Sequence, residues 1–327
     1  MKICDEIVLR LVDLFLVFIG LFYLFKIFRR QLKNDFWSIV LILLFFTSPI
    51  LVFYANNFTA DAPALGIALI GAWFLWNYYN YFKIKDIYVA NLFYLVAGLI
   101  KISSLFSLLA VIPIHFYLMF FKKDNKVKML SFIPFVLTFS ILPLWYIYAI
   151  QYNKENIGGV FLQGILPIWD LNSEQIASIL KSFFPNLLNL YFNIYALGIL
   201  FVLYVYSIFN FSKTNKFLFF YSIFIIIGVI GYFILFFQVF DVHDYYMVNI
   251  LVLIPAIVLS SFDLFIKNNF KFINSKLFKS IFIFGLVFLI LNTAMINCTA
   301  LCPSICKAWR SVVTCMALPL AVTAWIV

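Results

Sequence analysis

The sequence predicts an all-α, polytopic transmembrane bundle of about ten spans. Three observations predict it. The 327 residues are 66% hydrophobic and only 11% charged, with a mean hydropathy of +1.08, whereas a soluble chain carries roughly 25% charged residues. The apolar residues fall in runs near the ~20 residues a helix needs to cross ~30 Å of hydrocarbon. The basic residues cluster in alternate turns between those runs. This composition excludes a cytosolic enzyme, a secreted disulfide domain and a disordered chain. The net charge of +10 has a topological origin, so nucleic acid is not an expected partner.

Taken in order, the apolar runs are 7–28, 36–54, 62–82, 87–100, 103–121, 129–150, 191–211, 217–238, 246–266 and 280–297. Asp5, Glu6, Arg10 and Asp13 interrupt the first, and no small-residue cleavage site follows, which argues against a cleavable signal peptide. Five turns hold sixteen of the 23 basic residues: 26–33, 83–85, 122–128, 213–216 and 267–279. The positive-inside rule makes those turns cytoplasmic. The intervening segments, 55–61, 151–190 and 239–245, carry Asp61, Glu155, Asp170, Glu174, Asp241 and Asp244 against Lys154 and Lys181. They face away from the cytoplasm.

Residues 87–121 must go out and come back, because both flanks are basic. Arms of about 17 residues reach ~25 Å each, so this is a short out-and-back helix pair with its apex at Leu99-Ile100-Lys101-Ile102-Ser103-Ser104. An unpaired ammonium in lipid costs at least ~3 kcal/mol. Lys101 therefore faces a polar cavity or an anion, or snorkels to the surface. Between the sixth and seventh runs, Ile176, Ile179, Leu180, Phe183, Phe184, Leu187, Leu188 and Tyr191 follow helical spacing. They predict an outer helix near 173–190, capped by Asn172 or Ser173 with Gln175 or Glu174 in its first turn. It lies in the interface plane or forms an elbow into the next span.

The two ends depart from this pattern. Lys2 and Arg10 fall on the side where basic residues are disfavoured, as though one span preceded them. Phe occurs 43 times but not beyond Phe288. Residues 298–327 gain Cys298, Cys302, Cys306 and Cys315 at spacings that match no usual zinc pattern. That tail reads as a changed frame or foreign extension, or as a terminal span at 311–327.

Candidate chemistry gathers at the outer side. Asp61 stands where the third run begins, with Pro63 in its first turn; it is either a helix cap or a carboxylate serving as ligand or base. The run Asp241-Val242-His243-Asp244-Tyr245-Tyr246 opens the ninth span. Tyr245 and Tyr246 fit an aromatic belt and Asp244 fits a cap. His243 among carboxylates and phenols can instead donate hydrogen bonds to an anionic oxygen. Asp61, Lys101, His243, Asp244, Tyr245 and Tyr246 together suit a substrate with a lipid tail, a phosphate and a sugar.

The runs "EIVLRLVDLFLVFIGLFYLFKIFRR", "LLFFTSPILVFYANNFTADAPALGIALIGAWFLW" and "LFYLVAGLIKISSLFSLLAVIPIHFYLMF" resemble the GT-C membrane glycosyltransferases. The similarity is greatest to the bacterial branch of the protein O-mannosyltransferases and the lipid A aminoarabinose transferase. It covers roughly residues 6–290 and rests on Arg10, Ser48-Pro49 with Tyr54, Asp61, Leu99-Ile100-Lys101, and "HDYY" at 243–246 before "NILVLIPAIVL". The resemblance implies an integral inner (plasma) membrane enzyme with an extracytoplasmic active face. It would move a sugar, with inversion, from a polyprenyl-phosphate carrier to a lipid, glycan or protein acceptor. A carboxylate would deprotonate the acceptor, with Asp61 the candidate, while Lys101, His243 and Tyr245 stabilise the departing phosphate. No organic cofactor is implied, and a divalent metal stays open. The family's principal acid sits in a first outer loop after an initial span, which residues 1–297 lack; this implies a truncated domain whose activity is in doubt. A lipid-linked glycan polymerase or flippase, or a non-catalytic relic, are the competing readings. A solute transporter would show paired, broken half-repeats, and none is evident.

Overall fold

The computed structural model describes residues 2–57, 59–123, 126–156, 164–241 and 243–301, excluding the side chains of 2–6, 183–189, 241, 270 and 298–301. The tail 302–327, with Cys302, Cys306 and Cys315, lies outside them. Every regular element among the described residues is helical. Six stretches are long and apolar enough to cross a membrane: Ile7–Leu32, Ile102–Phe121, Met129–Asn156, Lys216–Leu235, Asp244–Asn268 and Lys276–Asn297. Phe15, Phe201, Phe209, Leu144 and many other large apolar side chains are exposed on the surface. A water-facing monomer does not present that much apolar area, so the surface is compatible with an integral membrane protein.

Helices α1 (Lys2–Leu32), α4 (Asp61–Tyr81) and α5 (Ile84–Ile100) form the centre, with α4 packed between the other two. Glycine makes the first contact possible. A methyl group on Gly66 would lie 2.5 Å from the Leu16 carbonyl oxygen, and one on Gly20 would lie 2.5 Å from that of Gly66. Small residues let two membrane helices approach backbone to backbone, where dispersion is strongest. On the other side of α4, Gly71 receives the ring of Tyr94.

The run 36–54 is not one straight span. It divides into α2 (Asp35–Phe46) and α3 (Pro49–Ala55), bent by 75°. Thr47 ends α2 by returning its hydroxyl to the Leu44 carbonyl at 2.6 Å. Ser48 then caps α3, its Oγ accepting from the Leu51 N–H, with Pro49 at the first helical position. An N-cap serine before an N1 proline starts a new helix even where hydropathy is continuous.

Two further details revise the expected spans. The out-and-back segment does turn at Lys101, whose backbone is extended between α5 and a 3₁₀ turn, Ile102–Leu105. Its arms pack on different neighbours, however: α5 on α4 and on α7 (Ile133–Asn156), and α6 (Phe106–Phe116) on α10 (Lys216–Leu235). The last large helix before the final one is α11 (Leu253–Asn268), preceded by 3₁₀ turns at Asp244–Met247 and Asn249–Val252. The 3₁₀ start turns consecutive side chains of 244–249 toward the protein interior.

The helix expected near 173–190 is present as α8 (Ser173–Tyr191). Asn172 and Gln175 cap it reciprocally: the Gln175 N–H donates to Asn172 Oδ1 at 2.9 Å, and the Asn172 N–H donates to Gln175 Oε1 at 3.0 Å. This is the capping-box geometry. Ile179 is buried against the core while Glu174, Ser178 and Lys181 are exposed. α9 (Ile194–Phe209) follows, and α12 (Phe270–Ile273) leads into α13 (Lys276–Leu301).

The basic turns meet at one end. Asn34 bonds Asn274, Arg30 bonds Asn77, and Tyr88 bonds the Leu130 carbonyl. Lys126 lies over Phe82, Phe217 stacks on Tyr79, and Asn268 bonds Tyr206. His115 is buried there between Tyr79 and Ser131, each 3.0 Å away. The opposite end holds the site.

Candidate functional site

At the end away from the basic turns, a cavity of about 950 Å³ opens between α1, α4, α5, α7, the end of α10 and the turns around 164–166 and 236–246. Backbone pairing shapes its rim: the Leu166 N–H donates to the Leu235 carbonyl at 3.0 Å, and the Gln238 side chain donates to the Pro167 carbonyl at 2.9 Å. Lys101, His243, Tyr245 and Tyr246 all line it. The sequence therefore brings four of its six candidate residues to one wall.

Lys101 is the centre of that wall. Its Nζ lies 3.2 Å from Asp61 Oδ1, 4.1 Å from the Tyr246 ring centroid and 5.2 Å from that of Tyr245. The extended backbone at residue 101 breaks the helix at the depth where the ammonium meets the cavity. At ~3 Å the attraction of such a pair is roughly 5 kcal/mol for an effective dielectric constant of ~20, of the same order as the cost of burying one ion. That attraction offsets part of the cost of withdrawing the two ions from water, and the tyrosine faces add cation–π stabilisation.

Asp61 is not the helix cap that its position suggested. It is the first residue of α4, and Ala60, which has no side-chain cap bond, holds the N-cap position. Its side chain is 3% exposed against 20% for Lys101, and its Oδ1 also accepts from Asn249 Nδ2 at 3.3 Å. It lies behind Lys101 and does not line the cavity. Its carboxylate is thus engaged by Lys101 and Asn249 behind the cavity wall, where it holds the ammonium in place.

Asp244 is likewise committed, accepting from the Tyr54 hydroxyl. That bond ties α3 to the 3₁₀ turn carrying the tyrosine pair. Tyr245 packs against Tyr54 and Tyr246, with ring centroids 6.1 and 4.9 Å apart, and His243 lies 5.1 Å from Tyr245. His243 is exposed, with its ring against both tyrosines. The side chain of Asp241 lies outside the described residues.

The structure adds Asp13, a cavity residue that sequence reasoning set aside. It lines the cavity from α1, and no hydrogen bond or ion pair holds it among the described residues. A signal was available: an ionisable residue inside a long apolar helix faces the bundle interior or a water-filled space. Asp13 also shares the helical stripe of Leu16 and Gly20, which faces α4. Arg10, one turn earlier, donates to the Asn56 carbonyl at 2.9 Å and so fixes the loop before α4. Trp145 and Tyr146 from α7 also line it, as does Thr59, whose buried hydroxyl has no hydrogen-bond partner among the described residues. Among the described residues no group of three or more His, Cys, Asp or Glu side chains is placed to hold a metal ion.

Compared with protein-family models, with characterised proteins and with solved structures, the chain matches none. The family resemblance therefore rests on the ordered motifs alone.

Proposed function

We propose that the chain is an integral membrane glycosyltransferase of about ten membrane passes, using a lipid-phosphate-linked sugar at the non-cytoplasmic face. One observation carries this reading: a single cavity is lined by Lys101, which pairs with the buried Asp61, and by Asp13, which has no hydrogen bond or ion pair among the described residues. In this scheme Lys101 and His243 take the phosphate of a polyprenyl-phosphate sugar, and Trp145 and Tyr146 offer aromatic faces to the sugar ring. Asp13 accepts the proton of the acceptor hydroxyl while its oxygen bonds to the anomeric carbon. The bond from that carbon to the phosphate oxygen breaks, and its electron pair leaves with the lipid phosphate. The configuration at the anomeric carbon inverts. The ammonium, fixed before the reaction by Asp61, stabilises charge as it develops on the leaving oxygen.

The test is release of polyprenyl phosphate by purified full-length protein given a polyprenyl-phosphate sugar and an alcohol acceptor. Asp13→Asn is expected to lower the rate by at least ~10²-fold, the ordinary contribution of a general base, with little effect on folding. Unchanged transfer by that variant would remove Asp13 from the mechanism. Failure of the wild type with every such donor would remove the reading itself.

A further inference from the structure

A second cationic cluster stands at the opposite end of α1, among the basic turns. Lys26 Nζ lies 4.3 Å from the Trp73 ring centroid and 4.6 Å from that of Tyr23. The Arg30 guanidinium, one turn on, is also 4.3 Å from Trp73 and donates to Asn77 Oδ1 at 2.7 Å. Two like charges are thus held against one indole, at the cost of mutual repulsion. No carboxylate pairs with either among the described residues. The nearest acid in sequence, Asp35, is taken by Arg29 at 2.7 Å. A preorganised cation pair without a counter-ion is built for an anion from outside the chain.

The neighbouring surface identifies the kind of anion. Phe15, Phe18 and Phe22 are 64%, 50% and 58% exposed, and their spacing puts them on the same stripe of α1 as Lys26. From Lys26 to Phe15 the helix rises about 16 Å, which equals one half of the ~30 Å hydrocarbon layer. The stripe therefore offers a charged head position at one leaflet boundary and an aromatic ridge to the midplane. Free phosphate would use the first and leave the second bare.

We infer that Lys26 and Arg30, with Trp73 and Asn77, form a binding site for the headgroup phosphate of an anionic glycerophospholipid, whose acyl chain lies along Phe22, Phe18 and Phe15. Interhelical basic sites on the cytoplasmic side commonly hold such headgroups. The inference rests on the membrane-spanning helices and is independent of the glycosyltransferase reading.

Full-length protein in micelles of zwitterionic detergent would be titrated with phosphatidylglycerol, phosphatidylcholine or inorganic phosphate, following retained lipid by native mass spectrometry and Trp73-dependent fluorescence. Phosphatidylglycerol is expected to be retained at least tenfold better than phosphatidylcholine. That preference should be lost in Lys26→Gln with Arg30→Gln, and kept in Lys279→Gln, a control at the same end. Should the double variant unfold, Lys26→Gln alone should lower retention several-fold, and Lys26→Arg should restore it. Equal retention of both lipids, undiminished retention by the folded variants, or an equal fluorescence response to inorganic phosphate would overturn the inference.

Discussion

Replacing Lys101 with methionine is expected to be the most damaging conservative-volume change in the protein. It leaves Asp61, almost wholly buried, with Asn249 as its remaining side-chain partner. Removing one partner of a buried ion pair costs about 3–5 kcal/mol, because the other charge is stranded. Thermal scans in detergent should show a large fall in the unfolding midpoint, together with loss of phosphate-donor binding. The double variant Asp61→Asn with Lys101→Met separates the two effects. It should recover most of the stability, since neither charge is then stranded, while binding stays lost. Full recovery of donor binding in the double variant would mean that Lys101 serves only to neutralise Asp61.

The second large effect belongs to packing. Gly66→Ala is expected to destabilise the protein by at least ~1–3 kcal/mol, the usual cost of overpacking. The upper end applies because the obstacle is the Leu16 backbone and not a movable side chain. The α1–α4 contact also sets Asp13 against the start of α4, so transfer activity should fall with stability. Gly285→Ala is the internal control. An added methyl there meets nothing within 4 Å, and alanine is the better helix former, so its midpoint should hold or rise. Equal tolerance at both glycines would contradict the close backbone crossing.

Much of this architecture was legible because lipid imposes simple rules. Run length and basic turns located most helices and the end at which those turns meet. Lys101 was legible as an apex because basic residues flank its segment on both sides. The apolar spacing from Ile176 to Tyr191 announced α8, and Asn172 with Gln175 marked its start. The bend at Ser48-Pro49 was also written in cap residues, yet apolar residues run through it, and a hydropathy window averages over a 75° turn.

The site was read less completely, for a physical reason. Asp61 and Asp13 are both carboxylates near the same end, and the sequence does not state which one is covered. Asp61 drew attention by its helix-start position, but tertiary contact with Lys101 and Asn249 consumed it. Asp13 drew none because it lay inside an apolar run, where a lone acid looks like an interruption. Its place in the cavity emerges only in the fold, which brings to the same lining residues more than 80 positions away, Lys101 and His243 among them. Asp244 was similarly ambiguous until α3 brought Tyr54 to it.

The proposed function requires that the cavity lined by Lys101 and His243 open to the non-cytoplasmic side and take a lipid phosphate. Its most direct measurement is labelling of a His243→Cys variant, in a background where the five native cysteines are serine, by a membrane-impermeant maleimide. The account predicts rapid labelling in intact cells, slow labelling in inside-out vesicles, and protection by a polyprenyl-phosphate sugar. Labelling confined to inside-out vesicles, or a rate indifferent to that donor, would contradict it.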